Sequence, residues 1–329
     1  MTPLAPILER FFREYLPRDR GCSPHTSDAY AHTFRLFVCF AADLHGTTPS
    51  ALVLEQMDAT TILAFLADLE QTRGNSPSTR NARLAAIKSF VRFVEYREPS
   101  AINQVRQLLA IPAKKTDSPL ISHLNRTELQ AVLDAPDPTT HRGVRDRAML
   151  HLCFAAGLRV SELIGIRLDE VLSDPRPAVR IRGKGRKERV LPLWRETNET
   201  LLSWLSIRPE STAPELFLSA RRQALSRSGF EYILAKHVTA AAVSCSSLRG
   251  KRVSPHVLRH TCAMHTLQAT RDVRKVSLWL GHASVKSTEV YLRADPTEKL
   301  AALQAGTAPG LRPGRFQAPD QLLAMLRET

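Results

Sequence analysis

Apolar residues recur every three to four positions through residues 1–111, in three stripes separated by polar joints. Phe34, Phe37, Val38, Ala41 and Leu44 form the first, Ile62, Phe65, Leu66 and Leu69 the second, and Leu84, Ile87, Val91 and Val94 the third. That spacing places each set on one face of an amphipathic helix. Each stripe also has a helix-start signal, in Ser23-Pro24, Asp58 and Ser76-Pro77-Ser78-Thr79. Their side-chain oxygens can take the first unpaired backbone amides, and proline suits the first turn. Residues 1–111 therefore read as a domain of packed helices.

The pattern stops at Pro112-Ala113-Lys114-Lys115-Thr116-Asp117-Ser118-Pro119, a polar, basic stretch bracketed by proline. This reads as part of a linker over 112–124. Helical spacing resumes after Asn125 with Leu129, Val132 and Leu133, and again from Arg145 to Leu152. It is interrupted once. Ala178–Arg182, the turn Gly183-Lys184-Gly185-Arg186, and Lys187–Leu193 read as strand, glycine-rich turn and strand. Helical patterning returns from Glu196, so the second domain, 125–305, is mainly α with a small antiparallel β-sheet. A tail over 306–329 follows, with a mobile Gly-, Pro- and Arg-rich tether at 306–319 and a short apolar helix expected at 321–326.

Composition narrows the class. With 329 residues, 43% hydrophobic and 24% charged, the chain has ample core for two globular domains, which excludes fibrous and wholly disordered architectures. No apolar run approaches the roughly 18–20 residues that span a bilayer, and Glu9 and Arg10 interrupt the N-terminal apolar stretch. A cytoplasmic protein with no membrane partner is expected. Five scattered cysteines without a C-x-x-C pair offer neither a disulfide framework nor a cysteine zinc site. The net charge of +14 points to a polyanion. Residues 1–111 hold 12 Lys and Arg against 11 Asp and Glu, so +13 of the surplus falls on 112–329. In the first domain, Arg80, Arg83 and Lys88 lie opposite or beside the third stripe and are candidate phosphate contacts. Lys114 and Lys115 are candidates in the linker, which is equally suited to an ordinary inter-domain tether and to letting two domains close as a clamp around duplex DNA.

Four segments carry candidate chemistry. Ser254-Pro255-His256-Val257-Leu258-Arg259-His260 announces a helix start, with His256 in the first turn and Arg259 one turn on. A helix N-terminus, an imidazole and a guanidinium then converge, as needed to bind a phosphate and move a proton beside it. His256, His260 and His265 have the spacing of a zinc site. No carboxylate stands where a metalloprotease helix needs one, however, and the cation at Arg259 opposes a metal, so neither metal nor cofactor is expected. The hairpin turn holds Lys184 at a flexible tip. Arg159 and Glu162, after Gly157, are three apart on one helical face, an arrangement equally suited to a surface ion pair. Last, Leu280-Gly281-His282 reads as a helix stop, with Tyr291 nine residues beyond His282.

In order and spacing, Arg159, Lys184, His256-x-x-Arg259, Leu280-Gly281-His282 and Tyr291 resemble the tyrosine recombinase (phage integrase) family. The segments around Arg159, Lys184 and Arg259 are most similar to Xer-type recombinases and transposon-borne integrases. No family position departs from the pattern, and the first domain is similar in layout to the family's helical, SAM-like core-binding domain. The resemblance implies a site-specific recombinase acting on double-stranded DNA in integration, excision or transposition of a mobile element, or in Xer-like dimer resolution. It also implies a homo-tetramer on two DNA sites, with related recombinase subunits as possible partners, and a C-terminal segment, here 321–326, that docks on a neighbouring subunit.

The expected chemistry follows from the groups. Guanidinium forks at Arg159 and Arg259 match the non-bridging phosphate oxygens and stay charged. By the resemblance, Lys184 protonates the leaving 5′-oxygen, His256 serves as general acid or base, and His282 hydrogen-bonds the scissile phosphate. Tyr291 attacks phosphorus to give a 3′-phosphotyrosyl link. Glu162 is expected to steady Lys184 or His256. Two other readings keep the same residues: a DNA-binding protein that does not cleave, and a type IB topoisomerase-like relaxing enzyme.

Overall fold

The computed structural model describes residues 1–117, 121–173, 176–183, 188–282 and 284–295. The chain forms two compact units, divided between Ser118 and Pro119. Among the described residues, no helix is long and apolar enough to cross a membrane.

The first unit is all helical: α1 (Leu4–Arg10), continued by a wider π-helical turn at Phe11–Asp19, then α2 (Pro24–His45), α3 (Ala59–Gln71), α4 (Pro77–Arg97) and α5 (Ile102–Ala110). The three expected starts are present. Ser23, Asp58 and Ser76 each cap their helix by accepting a backbone N–H from Thr26, Thr61 and Thr79. The second and third stripes are wholly buried, whereas the first is shorter than expected, with Leu44 53% exposed beyond the reach of the core. The N-terminal segment, which carries no clear stripe, supplies a central ring: Phe11 packs edge-on against Phe90 with centroids 5.3 Å apart.

Arg80 and Lys88 make contacts within the unit itself. Arg80 is only 5% exposed, with Nη1 donating to Pro112 O (3.5 Å) and Nε 3.7 Å from Glu70. Lys88 Nζ donates to Leu109 O and Ile111 O, both at 2.6 Å, closing the orphaned carbonyls at the end of α5. Both cations fasten the last helix of the unit to α4 and do not stand open to solvent. Arg83 is half-buried, and burial, reinforced by Arg73, lowers its pKa. Lys114 remains exposed but pairs with Glu70 at 2.7 Å, and its backbone N–H donates to Asn81 Oδ1. Lys115 is exposed.

The second unit contains α6 (Arg126–Asp134), α7 (His141–Ala155), α8 (Val160–Gly165), β1 (Val171–Leu172), β2 (Ala178–Arg182), β3 (Glu188–Pro192), α9 (Arg195–Ile207), α10 (Arg227–Ser244), α11 (Pro255–Thr270), α12 (Val273–Leu280) and α13 (Glu289–Ala294). The architecture is mainly α with one small antiparallel sheet, ordered β1-β2-β3. Its short strand β1 has no signal in the sequence pattern. Ile181 pairs with Arg189 in the β2–β3 register. Val179, Ile181 and Leu191 face a core shared with Leu150, Leu158, Leu258 and Leu280. The cysteines are unpaired. Lys184 and the expected tail, 306–329, lie outside the described residues.

Candidate active site

The site grows from three helix ends packed on that core, at Gly157, Ser254 and Gly281. At the first, α7 ends in Gly157, whose φ of +56° lies in the left-handed region. A Cβ there would come within 2.6 Å of Leu280 Cδ2 and 3.1 Å of Cys262 Sγ, so the position needs glycine for both space and conformation. The chain then turns into α8, where Glu162 reaches back to accept the backbone N–H of Arg159 (3.0 Å) and its Nη1–H (2.7 Å).

Glu162 is 7% exposed, which excludes a surface ion pair. Its described partners are arginines, not His256. Besides Arg159, it accepts from Arg189 Nη2 (2.9 Å) and Nη1 (3.3 Å), and Arg259 Nη1 lies 3.8 Å away. Burial alone would raise its pKa, but the hydrogen bond and charge of Arg189, followed by those of Arg159, lower it, so it is ionised.

Ser254 caps α11 and Pro255 opens it, as the sequence indicates. One turn on, Arg259 is 4% exposed and points inward. It donates to Gly157 O and, at 2.8 Å, to Leu280 O, tying the ends of α7 and α12. Burial, then Arg159, lowers its pKa to about 10, so it stays charged at neutral pH. His256 is exposed at the start of the helix, its ring 6.5 Å from that of His260.

Gly281, at φ +63°, ends α12 and delivers His282. His282 Nδ1 lies 2.8 Å from Thr288 Oγ1, and its ring stacks on Tyr291 with centroids 6.4 Å apart and planes at 9°. Burial and the nearby Arg259 and Arg159 push its pKa down to about 4. Tyr291, on α13, is 2% exposed, and its hydroxyl lies 3.0 Å from His260 Nδ1. Burial raises the phenol to about 12 despite Arg259 and Arg159. Burial, then His256 and Arg259, lowers His260 to about 4.

Four of the six expected residues thus share one cluster: Arg159, Arg259, His282 and Tyr291. His256 sits at its exposed edge, and Lys184 lies outside the described residues. Sequence reasoning missed two neighbours, Arg189 and His260. His260 was legible as the residue one turn beyond His256, yet drew notice only as a potential metal ligand. Chemically the cluster is a cationic group beside a buried phenol, with three guanidinium groups against one carboxylate. Such an excess suits an oxyanion.

Comparison with known proteins supplies the family and the fold. Residues 122–298 match the phage integrase family, and residues 8–98 match the phage integrase N-terminal SAM-like domain. The integrase/recombinase y4rC of Sinorhizobium fredii is 42% identical over 323 residues, covering 98% of this chain and 97% of its own. The tyrosine recombinase XerC of Pelobacter propionicus is 34% identical, with coverages of 88% and 91%. Among solved structures, the Tn1549 transposon integrase in complex with circular intermediate DNA shares the fold with a TM-score of 0.67 at 14% identity, covering 93% of this chain and 100% of that one. The XerH recombinase bound to palindromic difH substrate gives 0.65 at 23% identity, with coverages of 87% and 81%.

Proposed function

This chain belongs to the phage integrase family, and we propose that it is a site-specific recombinase whose Tyr291 cuts and rejoins duplex DNA. The observation that carries this reading is the convergence of Arg159, Arg259 and His282 on the Tyr291 phenol within one cationic cluster. The two arginines neutralise the non-bridging oxygens of the scissile phosphate as charge builds there, and His282 hydrogen-bonds the same group. Tyr291 attacks phosphorus, forming a 3′-phosphotyrosyl bond as the bond to the 5′-oxygen breaks. Lys184 gives that oxygen its proton, and His256 acts at the exposed edge as general acid or base. A 5′-hydroxyl from a second duplex reverses the attack, so the bond energy is kept through the exchange.

The Tyr291 hydroxyl lies 3.0 Å from His260 Nδ1. Its proton does not pass to His260, because the phenol near 12 and the imidazole near 4 make that transfer steeply unfavourable. The contact holds the hydroxyl between α13 and α11. The remaining proposals are a cytoplasmic setting, the domain limits 1–111 and 125–305, four copies on two DNA sites, and DNA backbone contacts from Arg83, Lys114 and Lys115. Mobile-element recombination is the favoured role. The name integrase/recombinase of the y4rC relative fits it, while the XerC relatives keep dimer resolution as the second reading.

The test is a nicked duplex carrying the site selected by the full-length protein from a random-sequence pool. Wild type should form a covalent protein–DNA adduct, and Tyr291→Phe should form none. Binding without any adduct would leave a DNA-binding protein that does not cleave. Relaxation of supercoiled DNA without junction products would indicate a topoisomerase.

A further inference from the structure

Arg189 occupies an unusual place for a charged residue. It lies across from Ile181, which is 1% exposed, and two residues before Leu191, which is 5% exposed, so the β3 alternation turns its side chain toward the core. A lone charge there would be costly, and a pair with Glu162 meets that cost. The pair is a two-point fork, and the guanidinium continues under the turn that ends α12. A Cβ on Gly281 would lie 3.0 Å from both Arg189 Cδ and Nη1. One side chain therefore spans the hairpin strand, the carboxylate beneath Arg159, and the turn that delivers His282.

Charge gives this placement a consequence. Arg159, Arg189 and Arg259 against Glu162 leave a net +2, which matches a phosphorane transition state carrying two negative oxygens. Without Arg189, Glu162 would draw on Arg159 and Arg259 alone and cancel half of the charge that faces the phosphate. We infer that Arg189 is a positioning residue for strand cleavage: it takes up the charge of Glu162, so that Arg159 and Arg259 keep theirs for the scissile phosphate, and it fixes β3 to the Gly281-His282 turn. This inference rests on the proposed recombinase chemistry.

The test uses full-length protein and the same nicked duplex, with single-turnover adduct formation and DNA affinity measured separately. Arg189→Gln should slow cleavage about 10- to 100-fold while affinity changes by less than about threefold. Arg189→Lys keeps the charge without the fork and should fall between Arg189→Gln and wild type. The decisive variant is the double substitution Glu162→Gln with Arg189→Gln, which restores the net +2. It should cleave faster than Arg189→Gln alone, an outcome that loss of packing would not produce. Arg189→Met supplies a second neutral variant should Arg189→Gln not fold. Wild-type rates in the neutral variants, or a double variant that loses the product of its two single losses, would overturn the inference and leave the recombinase reading standing. Absence of any adduct from wild type on its bound site would overturn both.

Discussion

Two buried carboxylates of the second unit, Asp146 and Glu162, meet cations in different proportions. Asp146 is 2% exposed; it accepts Arg145 Nε (2.9 Å) and Nη2 (2.7 Å) on one oxygen and His237 Nε2 (2.9 Å) on the other. Arg145 goes on to donate to Leu218 O at 2.9 Å, so the group fastens α7, α10 and the chain before α10. Burial would raise the Asp146 pKa, but His237 and Arg145 lower it, and the ion pair is closed on itself. Glu162 is surrounded by more positive charge than it can cancel. The contrast teaches that burial of a charge does not mark a site by itself. The uncompensated excess does, because it awaits an anion from outside.

The largest effect should come from breaking the closed network. Asp146→Ala leaves Arg145 buried and unpaired, and should cost about 3–5 kcal/mol of stability in denaturant unfolding. Cleavage per folded molecule should stay at the wild-type level. A selective loss of cleavage would place Asp146 in the reaction and dissolve the contrast.

On the other side of the comparison, Arg159→Ala should lower cleavage about 10²-fold or more, with a far smaller loss in DNA affinity. Arg259→Ala should do the same, with an added loss of stability because it frees Gly157 O and Leu280 O. Equal losses in binding and cleavage would make these arginines anchors only.

The smallest effect concerns protons. His260 and His282, beside the excess charge, and His151, on α7, are each held near 4, first by burial and then by neighbouring charges or imidazoles, against an ordinary value of 6.5. Between these values the unfolded chain binds protons that the native protein does not. Stability is therefore highest above pH 6.5 and falls as the pH drops toward 4. The carboxylates with lowered values, among them Glu162 and Asp146, keep their full contribution above their ordinary 4.5 and 3.8 and lose it only below, so the window from pH 6.5 to 4.5 belongs to the histidines. The urea midpoint should decline across it. A flat profile would mean that these rings take up protons in the native protein over the same pH range as in the unfolded chain.

Much of this was legible in the sequence because it is written locally. Caps at Ser23, Asp58, Ser76 and Ser254 and the hairpin strands depend on neighbours within a few residues, whereas the motif positions were legible only through their order and spacing from Arg159 to Tyr291. What escaped depends on distant packing. Arg189 reads as one charge in Lys187-Glu188-Arg189 until the pairing with Ile181 sets its face. Glu162 reads as an i,i+3 partner until Arg189 and Arg259 arrive from other elements. Arg80 was within reach: it lies four residues before Leu84, on the stripe itself, and its charge drew the reading toward a ligand. Tyr291 drew notice as part of the motif spacing, whereas its contact with His260 comes from the packing of α13 on α11.

The most direct measurement is to map the covalent bond. After reaction with the nicked duplex, nuclease digestion and tryptic cleavage at Lys286 and Arg293, the peptide 287–293 should carry a 3′-linked nucleotide on Tyr291, and Tyr291→Phe should yield no modified peptide. A nucleotide attached to any other residue, or an adduct that survives in Tyr291→Phe, would contradict the assignment of Tyr291 as the nucleophile.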